Sequence, residues 1–393
     1  MKTFGQYFKY HFRSTFLRLI IMMAIVLVVS FINIESVVGL RYDQVRIQTG
    51  YGYYISDSSQ RFIVGSNVRL ETYTTMFAML CTLMPIFELY CFRSRRNLDT
   101  MFTLPVSRTK MLFAHLLNGW IHVIIAFTAE AAIIFTVLRQ EKYWVNESYL
   151  FGYYFVLLGV GLALYLFFSF VFLQGNTIID GIVFMGAWSF AFEMIVWVVD
   201  TISWEFNKNH VGTLNYWLSR IENSVIFYSP FDRINELFEN FMGIEDASSY
   251  PKYHIDNIYD YKIEANIGIA FWCTIGIVCL VLLYFTFKKQ RVEKVEDISD
   301  SPIGYKFLIP FYVISIILWE YDPLVVAVGI IAMLVAYIIY RRTFRIKKWD
   351  IIMIGITILI GIGVGIAQYI IESNRTVEAA AYLYQKVFQH IIL

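Results

Sequence analysis

Charge is what this sequence lacks most. Asp, Glu, Lys and Arg make up 16% of its 393 residues, where a soluble domain carries about 25%. Hydrophobic residues make up 58%, against about 45–50% in soluble domains, and the mean hydropathy is +0.57. An ordinary globular core cannot use this much apolar material, so a soluble enzyme is excluded as a reading of the whole chain. An excess of one sign is also missing: 32 Lys and Arg face 31 Asp and Glu, which leaves no electrostatic footprint for a nucleic acid. Cysteine is scarce. Cys81, Cys91, Cys273 and Cys279 lie within or at the end of apolar runs, and their spacing makes no metal-ligand pair. They read as buried small hydrophobes, and a disulfide scaffold is excluded. No Gly-x-x-x-x-Gly-Lys-Ser/Thr motif occurs, so the chain is not expected to hydrolyse ATP itself. His-Glu-x-x-His and Gly-x-Ser-x-Gly are absent too. Gly361, Gly363 and Gly365 sit inside an apolar run, where close spacing suits helix packing rather than phosphate binding.

Long apolar runs are what the sequence has. Nine segments could span a bilayer, which takes about 20 helical residues: Phe16–Ile34, Thr72–Phe92, Met111–Leu138, Leu150–Leu173, Ile178–Trp204, Ala265–Phe287, Tyr305–Trp319, Leu324–Tyr340 and Ile351–Ile371. The expected class is therefore all-α, a polytopic transmembrane helical bundle. No small-residue cleavage site follows the first run, which is expected to stay in the membrane. Placing the N-terminus inside puts 19 of the 32 Lys and Arg in roughly 75 inner residues and the other 13 in roughly 135 outer ones, as the positive-inside rule asks. The basic runs Arg93–Arg96, Lys288–Arg291 and Arg341–Lys348 all fall inside under this topology. It needs Tyr305–Trp319 to span despite its shortness and Pro310, and it leaves the C-terminal tail outside. The expected location is the cytoplasmic membrane.

Between the runs, organisation is legible in places. Residues 1–15 carry Phe4, Phe8 and Phe12, with Phe16 following at the same four-residue interval and Lys2, Lys9 and Arg13 between them. That pattern predicts an amphipathic helix in the cytoplasmic interface. The outer loop 35–71 reads as irregular or weakly β. The larger outer loop, 205–264, holds two helical stripes: Leu214, Trp217, Leu218, Ile221 and Val225, then Phe231, Ile234, Leu237, Phe238 and Phe241. Ser229 would cap the second stripe, Pro230 would open it, Asp232 would sit in its first turn, and Gly243 would stop it. These helices either lie on the outer leaflet, dip into it, or cap the bundle. Residues 292–302 are charged and read as a linker between a core at 16–291 and a three-span appendage at 303–393.

Four acids lie within spans: Glu88, Glu130, Glu193 and Asp200. Intramembrane acids cost roughly 2.5–3.5 kcal/mol each, so each invites a functional hypothesis. Glu88 is near the inner end, within expected reach of Arg93 or Arg95, and Asp200 is near the outer end, within reach of water. Glu130 and Glu193 are deeper. His115, His122 and Glu130 share one face of the third span. The seven residues between the histidines cover about 10 Å along a helix, so the two are not expected to hold one ion, and no metal site is expected. They read as helix-packing or pore-lining polar residues.

The loop after the second span reads Arg95-Arg96-Asn97-Leu98-Asp99-Thr100-Met101-Phe102-Thr103-Leu104-Pro105-Val106-Ser107-Arg108. A basic cluster leads into a short amphipathic segment with Leu98, Met101, Phe102 and Leu104 as apolar knobs. Pro105 breaks it, and Ser107 is placed to cap the next helix. Such a segment is suited to presenting its knobs and basic rim to a cytosolic partner, or to resting on lipid headgroups. The stretch from Arg95 resembles the loop between the second and third spans of ABC-2-type ABC transporter permeases, most sharply at Leu104–Arg108. The N-terminal interfacial helix, the large outer loop before the sixth span and the basic exit Lys288-Lys289-Gln290-Arg291 agree with that resemblance, which covers residues 1 to about 295. The last three spans depart from the family's six.

The resemblance implies a six-span permease core and a second permease subunit, identical or paralogous. It also implies cytosolic ABC ATPase subunits that bind ATP and Mg²⁺, while this chain holds no cofactor. Arg95, Arg96, Asn97, Leu98, Asp99, Phe102, Leu104, Pro105 and Arg108 would form the coupling helix docked on the ATPase. The implied activity is export of a peptide, antibiotic, lipid or other envelope-active compound. Two other classes stay open on the residues alone. One is a membrane sensor or immunity protein without bulk transport. The other is an intramembrane enzyme built on His122, Glu130 and Glu193.

Overall fold

The structure, a computed structural model, describes residues 4–39, 47–49, 52–54, 62–63, 71–140, 143–144, 147–206, 221, 224–226, 230–235, 255–289, 293, 295–319, 322–366 and 369. It is a helical bundle, and the chain is a polytopic membrane protein. Its helices are α1 (Phe4–Ser14), α2 (Phe16–Gly39), α3 (Glu71–Leu89), α4 (Arg95–Phe102), α5 (Arg108–Gln140), α6 (Glu147–Phe172), α7 (Ile178–Phe206), α8 (Ile255–Lys289), α9 (Tyr305–Trp319), α10 (Pro323–Arg341) and α11 (Lys348–Ile366). Seven of them, α3, α5, α6, α7, α8, α10 and α11, are long and apolar enough to cross a bilayer. The α1–α2 pair passes the same test together, bent by 52°. Helix α9 has 15 residues, about 22 Å at 1.5 Å per residue, shorter than a hydrocarbon core of about 30 Å. Between α2 and α3 lies one short antiparallel ladder, Ile47–Thr49 with Gly52–Tyr54. A second, parallel ladder joins Phe62–Ile63 to Tyr143–Trp144.

The chain divides into two compact units, Met1–Phe190 with Arg220–Asp297, and Ala191–Ser219 with Ile298–Leu393. In the first, α8 packs along α6, α3 lies against both α5 and α6, and α1 and α2 lie on α5. Its core is aromatic: Phe77, Phe168, Tyr165 and Trp272 are fully buried. Small residues let these helices approach. A Cβ on Gly276 of α8 would fall 2.6 Å from the Ala163 Cα of α6. The turn between α6 and α7 is tight as well: a Cβ on Gly175 would lie 2.4 Å from the Gly181 backbone nitrogen.

The expected helix opening at Pro230 is present over 230–235. Phe231 and Ile234 are buried, Phe231 against Phe77. Asn235 donates to Thr74 Oγ1 (2.6 Å) and accepts from the Tyr153 hydroxyl (2.6 Å). This turn therefore packs onto α3 and α6 rather than lying on a leaflet. Val225 is buried and Ile221 exposed. Ser229, Gly243 and the remaining members of both stripes (Leu214, Trp217, Leu218, Leu237, Phe238 and Phe241) lie outside the described residues.

In the second unit, Asp322 caps α10 by accepting from Leu324 N (2.8 Å), with Pro323 in the first position. Arg342 ends the helix with φ 52°, the left-handed conformation of a C-terminal stop. Arg341 turns inward and donates two bonds to buried Asp350, at 2.6 and 2.5 Å, so the basic run Arg341–Lys348 is not uniformly solvated. The Tyr340 hydroxyl donates to the Ser299 carbonyl (2.6 Å). Tyr340→Phe removes that hydrogen bond and should cost about 0.5–1.5 kcal/mol. Thermal unfolding in detergent reads this as a lowered Tm; an unchanged Tm would show that water replaces the phenol.

Candidate functional site

The buried carboxylate of Glu88 is the centre of a polar cluster at one end of the first unit. Glu88 is the penultimate residue of α3, which contains Pro85 and runs into a 3-10 turn at Tyr90–Arg93. Arg18 of α2 donates to Glu88 Oε1 (2.7 Å) and to the Phe87 carbonyl (2.8 Å). Asn118 of α5 donates to the same oxygen (2.9 Å) and to Thr15 Oγ1 (3.0 Å). Oε2 faces two imidazoles: His11 Nε2 of α1 at 2.9 Å and His115 Nδ1 of α5 at 3.6 Å. His115 donates from Nδ1 to the Glu88 backbone carbonyl (3.0 Å), and its Nε2 accepts from the Tyr7 hydroxyl (3.0 Å). His122 is fully buried, with Nδ1 3.8 Å from Glu88 Oε1 and neither ring nitrogen hydrogen-bonded among the described residues. One carboxylate thus ties four helices together. Glu88 does not reach Arg93 or Arg95 as the sequence suggested. Arg93 instead turns into the bundle and donates to the Leu173 carbonyl, while Arg95 turns outward, leaving Arg18 as the nearest cation.

The sequence pointed to Glu88, His115 and His122 but missed Arg18, His11, Asn118 and Tyr7. A signal existed for one of them. Asn118 falls three residues after His115 and four before His122, the spacing of a single helix face. The others come from α1 and α2, and nothing local links them to α3. Among the described residues, His11, Glu88 and His115 are the one group of His, Cys, Asp and Glu whose ligand atoms converge, all within 4.8 Å of one another. Glu130 is buried, and among the described residues its Oε2 has no hydrogen-bond partner. Glu193 and Asp200 are half-buried on α7.

The loop between α3 and α5 contains the short helix α4, and α5 begins at Arg108, directly after Ser107. Its knobs face inward, which corrects the expectation that they meet a partner. Leu98 is buried, and Met101, Phe102, Leu104 and Val106 pack on a cluster of Tyr7, Met111 and Ala114. Phe4 and Phe8 of α1 cover the same cluster, and Phe12 tilts over His122 at 5.5 Å. The aromatic stripe of α1 is therefore spent on protein more than on lipid, because the loop offers it a complementary apolar face. Arg95 is latched to the chain after α8: its backbone N–H donates to Glu296 Oε1 (3.0 Å), Nε to the Val295 carbonyl (2.6 Å) and Nη2 to Asp297 Oδ1 (2.7 Å). Glu296 in turn donates its N–H to the Asn176 carbonyl (3.0 Å). Arg108 lies 4.3 Å over the Phe102 ring. The exposed face is then mostly polar: Arg96, Asp99, Thr100, Thr103 and Arg108 beside Pro105, with Asn97 half-buried.

No family model, curated protein or solved structure matches the chain. What fold and site define is a class: a polytopic helical membrane protein with a buried ionic cluster at one end and an ordered, polar-faced loop helix beside it.

Proposed function

We propose that the chain is the membrane subunit of an ABC transporter, exporting an envelope-active compound with ATP hydrolysed by a separate cytosolic subunit. The observation that carries this reading is α4: a discrete helix between α3 and α5, clamped from behind by α1 and latched at Arg95, with a polar face outward. A rigid element held by three neighbours can pass a displacement into the bundle, which a coupling helix must do. The resemblance at Leu104–Arg108 supports the same reading. The N-terminus, α4 and the loop Arg341–Lys348 are cytoplasmic in this proposal, and the ATPase meets Arg96, Asp99, Thr100 and Arg108. Leu98 and Leu104 support the element from behind, so substituting them disturbs packing before it disturbs docking.

Pull-down of the tagged chain from gently solubilised native membranes should recover a stoichiometric ATPase. Arg96→Glu with Asp99→Lys reverses two rim charges, each worth up to about 1 kcal/mol, and should weaken ATPase binding by up to about 30-fold with an unchanged elution profile. Full recovery by the double variant would remove α4 as the docking site. Absence of any ATPase from the wild-type eluate would remove the transporter reading.

A further inference from the structure

We infer that His11, Glu88 and His115 form a binding site for a divalent transition-metal ion of the zinc type, reached from the α1 side. The inference stands on the side-chain geometry and does not rest on the transporter reading.

Three donors of the kinds zinc takes, two imidazole nitrogens and a carboxylate oxygen, come from α1, α3 and α5. Ligand atoms of one tetrahedral zinc, at bonds of 2.0–2.1 Å, lie about 3.3 Å apart. The distances from Glu88 Oε2 bracket that value, 2.9 Å to His11 Nε2 and 3.6 Å to His115 Nδ1. Two imidazoles with one carboxylate favour zinc over magnesium or calcium, which take oxygen ligands.

The second layer is also present. A ligating imidazole donates its other N–H to a fixed acceptor, and His115 Nε2 faces the Tyr7 hydroxyl at 3.0 Å. Without metal, His115 carries its proton on Nδ1, since that nitrogen donates to a carbonyl. Taking the ion moves the proton to Nε2, and the hydroxyl of Tyr7 then accepts instead of donating. His11 likewise gives up its Nε2 proton, so binding weakens as pH falls.

Arg18 opposes the ion, because its guanidinium shares the Glu88 carboxylate. Its side chain is 29% exposed, however, and it contacts Oε1, leaving Oε2 to the metal. The two cations compete for one carboxylate, so weakening Arg18 should strengthen metal binding. A purely structural ion cluster predicts no such gain. The ion would fasten α1, and with it the packing behind α4, to α3 and α5.

The test is titration of the chelator-stripped, full-length protein in detergent with Co²⁺, read by visible absorption, followed by displacement with Zn²⁺. The expected result is one Co²⁺ per chain, displaced by Zn²⁺. His11→Gln and His115→Gln should each weaken binding by more than about 100-fold, beyond the 10–100-fold that losing an outer-layer partner costs. Tyr7→Phe should fall within that lower range, and Arg18→Gln should tighten binding. His11 is the most exposed of the three ligands, so His11→Gln keeps the variant series readable if His115→Gln fails to fold. No saturable Co²⁺ binding by the wild type would overturn the site, as would wild-type affinity in His11→Gln.

Discussion

Replacing Glu88 with alanine is expected to cost about 3–5 kcal/mol, the range for breaking a buried pair from one side. The carboxylate is buried and takes bonds from Arg18 and Asn118 while facing His11, His115 and His122. Its removal strands a guanidinium and three imidazoles in an apolar setting, and each must find water, shed charge or force the helices apart. Glu88→Gln should cost less, because the amide oxygen still accepts from Asn118, but Arg18 loses its counter-charge. Unfolding in detergent, followed by circular dichroism, measures both. An alanine variant within about 0.5 kcal/mol of the wild type, the scale of an ordinary surface substitution, would mean that α1 and α2 are held by apolar packing alone and that the ionic cluster is incidental.

Gly276→Ile is expected to be at least as damaging, for a different reason. The Cβ alone would meet the Ala163 Cα at 2.6 Å and its Cβ at 2.7 Å. The obstruction is backbone, which cannot rotate away as a long side chain can. Overpacking commonly costs 1–3 kcal/mol and occasionally more; here α6 and α8 must separate along their shared face, and Trp272 and Tyr165 lose contact with it. The higher helix propensity of the new residue, under about 1 kcal/mol, does not compensate. Gly186 of α7 supplies the control, since a Cβ there meets nothing within 4 Å. Gly186→Ile should express and elute like the wild type, while Gly276→Ile should yield little folded protein. Equal behaviour of the two would show that the α6–α8 contact is looser than the glycine–alanine approach indicates.

These two sites also mark how far the sequence could be read. The apolar runs were legible because a spanning helix must exclude charge over about 20 residues, and the described helices lie where the runs do. The break at Pro105, the start of α5 after Ser107 and the helical turn from Pro230 follow from local backbone chemistry. The four-residue repeat of Phe4, Phe8 and Phe12 revealed that α1 has an apolar face, but not what covers it. The covering surface, Met101, Phe102 and Leu104, is about 90 residues away and has an amphipathic pattern of its own. Two such patterns can each meet lipid or meet one another, and only packing decides. Glu88 was visible as an acid in a span; its partners were not, since Arg18 reads equally well as a topological flank and His11 as part of a polar face. Gly276 gave no signal, because a glycine in an apolar helix is as compatible with open lipid as with a neighbouring backbone.

The Glu88 cluster also has a chronology. Arg18 precedes its carboxylate by 70 residues and His11 by 77, so both are translated, and α2 is already available to the membrane, before Glu88 leaves the ribosome. An acidic side chain entering lipid with no counter-charge faces a penalty of roughly 2.5–3.5 kcal/mol. Here a guanidinium is already waiting at the depth where the acid must settle. His115 and Asn118 follow 27 and 30 residues later and close the cluster as α5 arrives. The order of the chain thus lets α2 chaperone the insertion of α3, and a permuted protein beginning at α3 would have to insert Glu88 without that help.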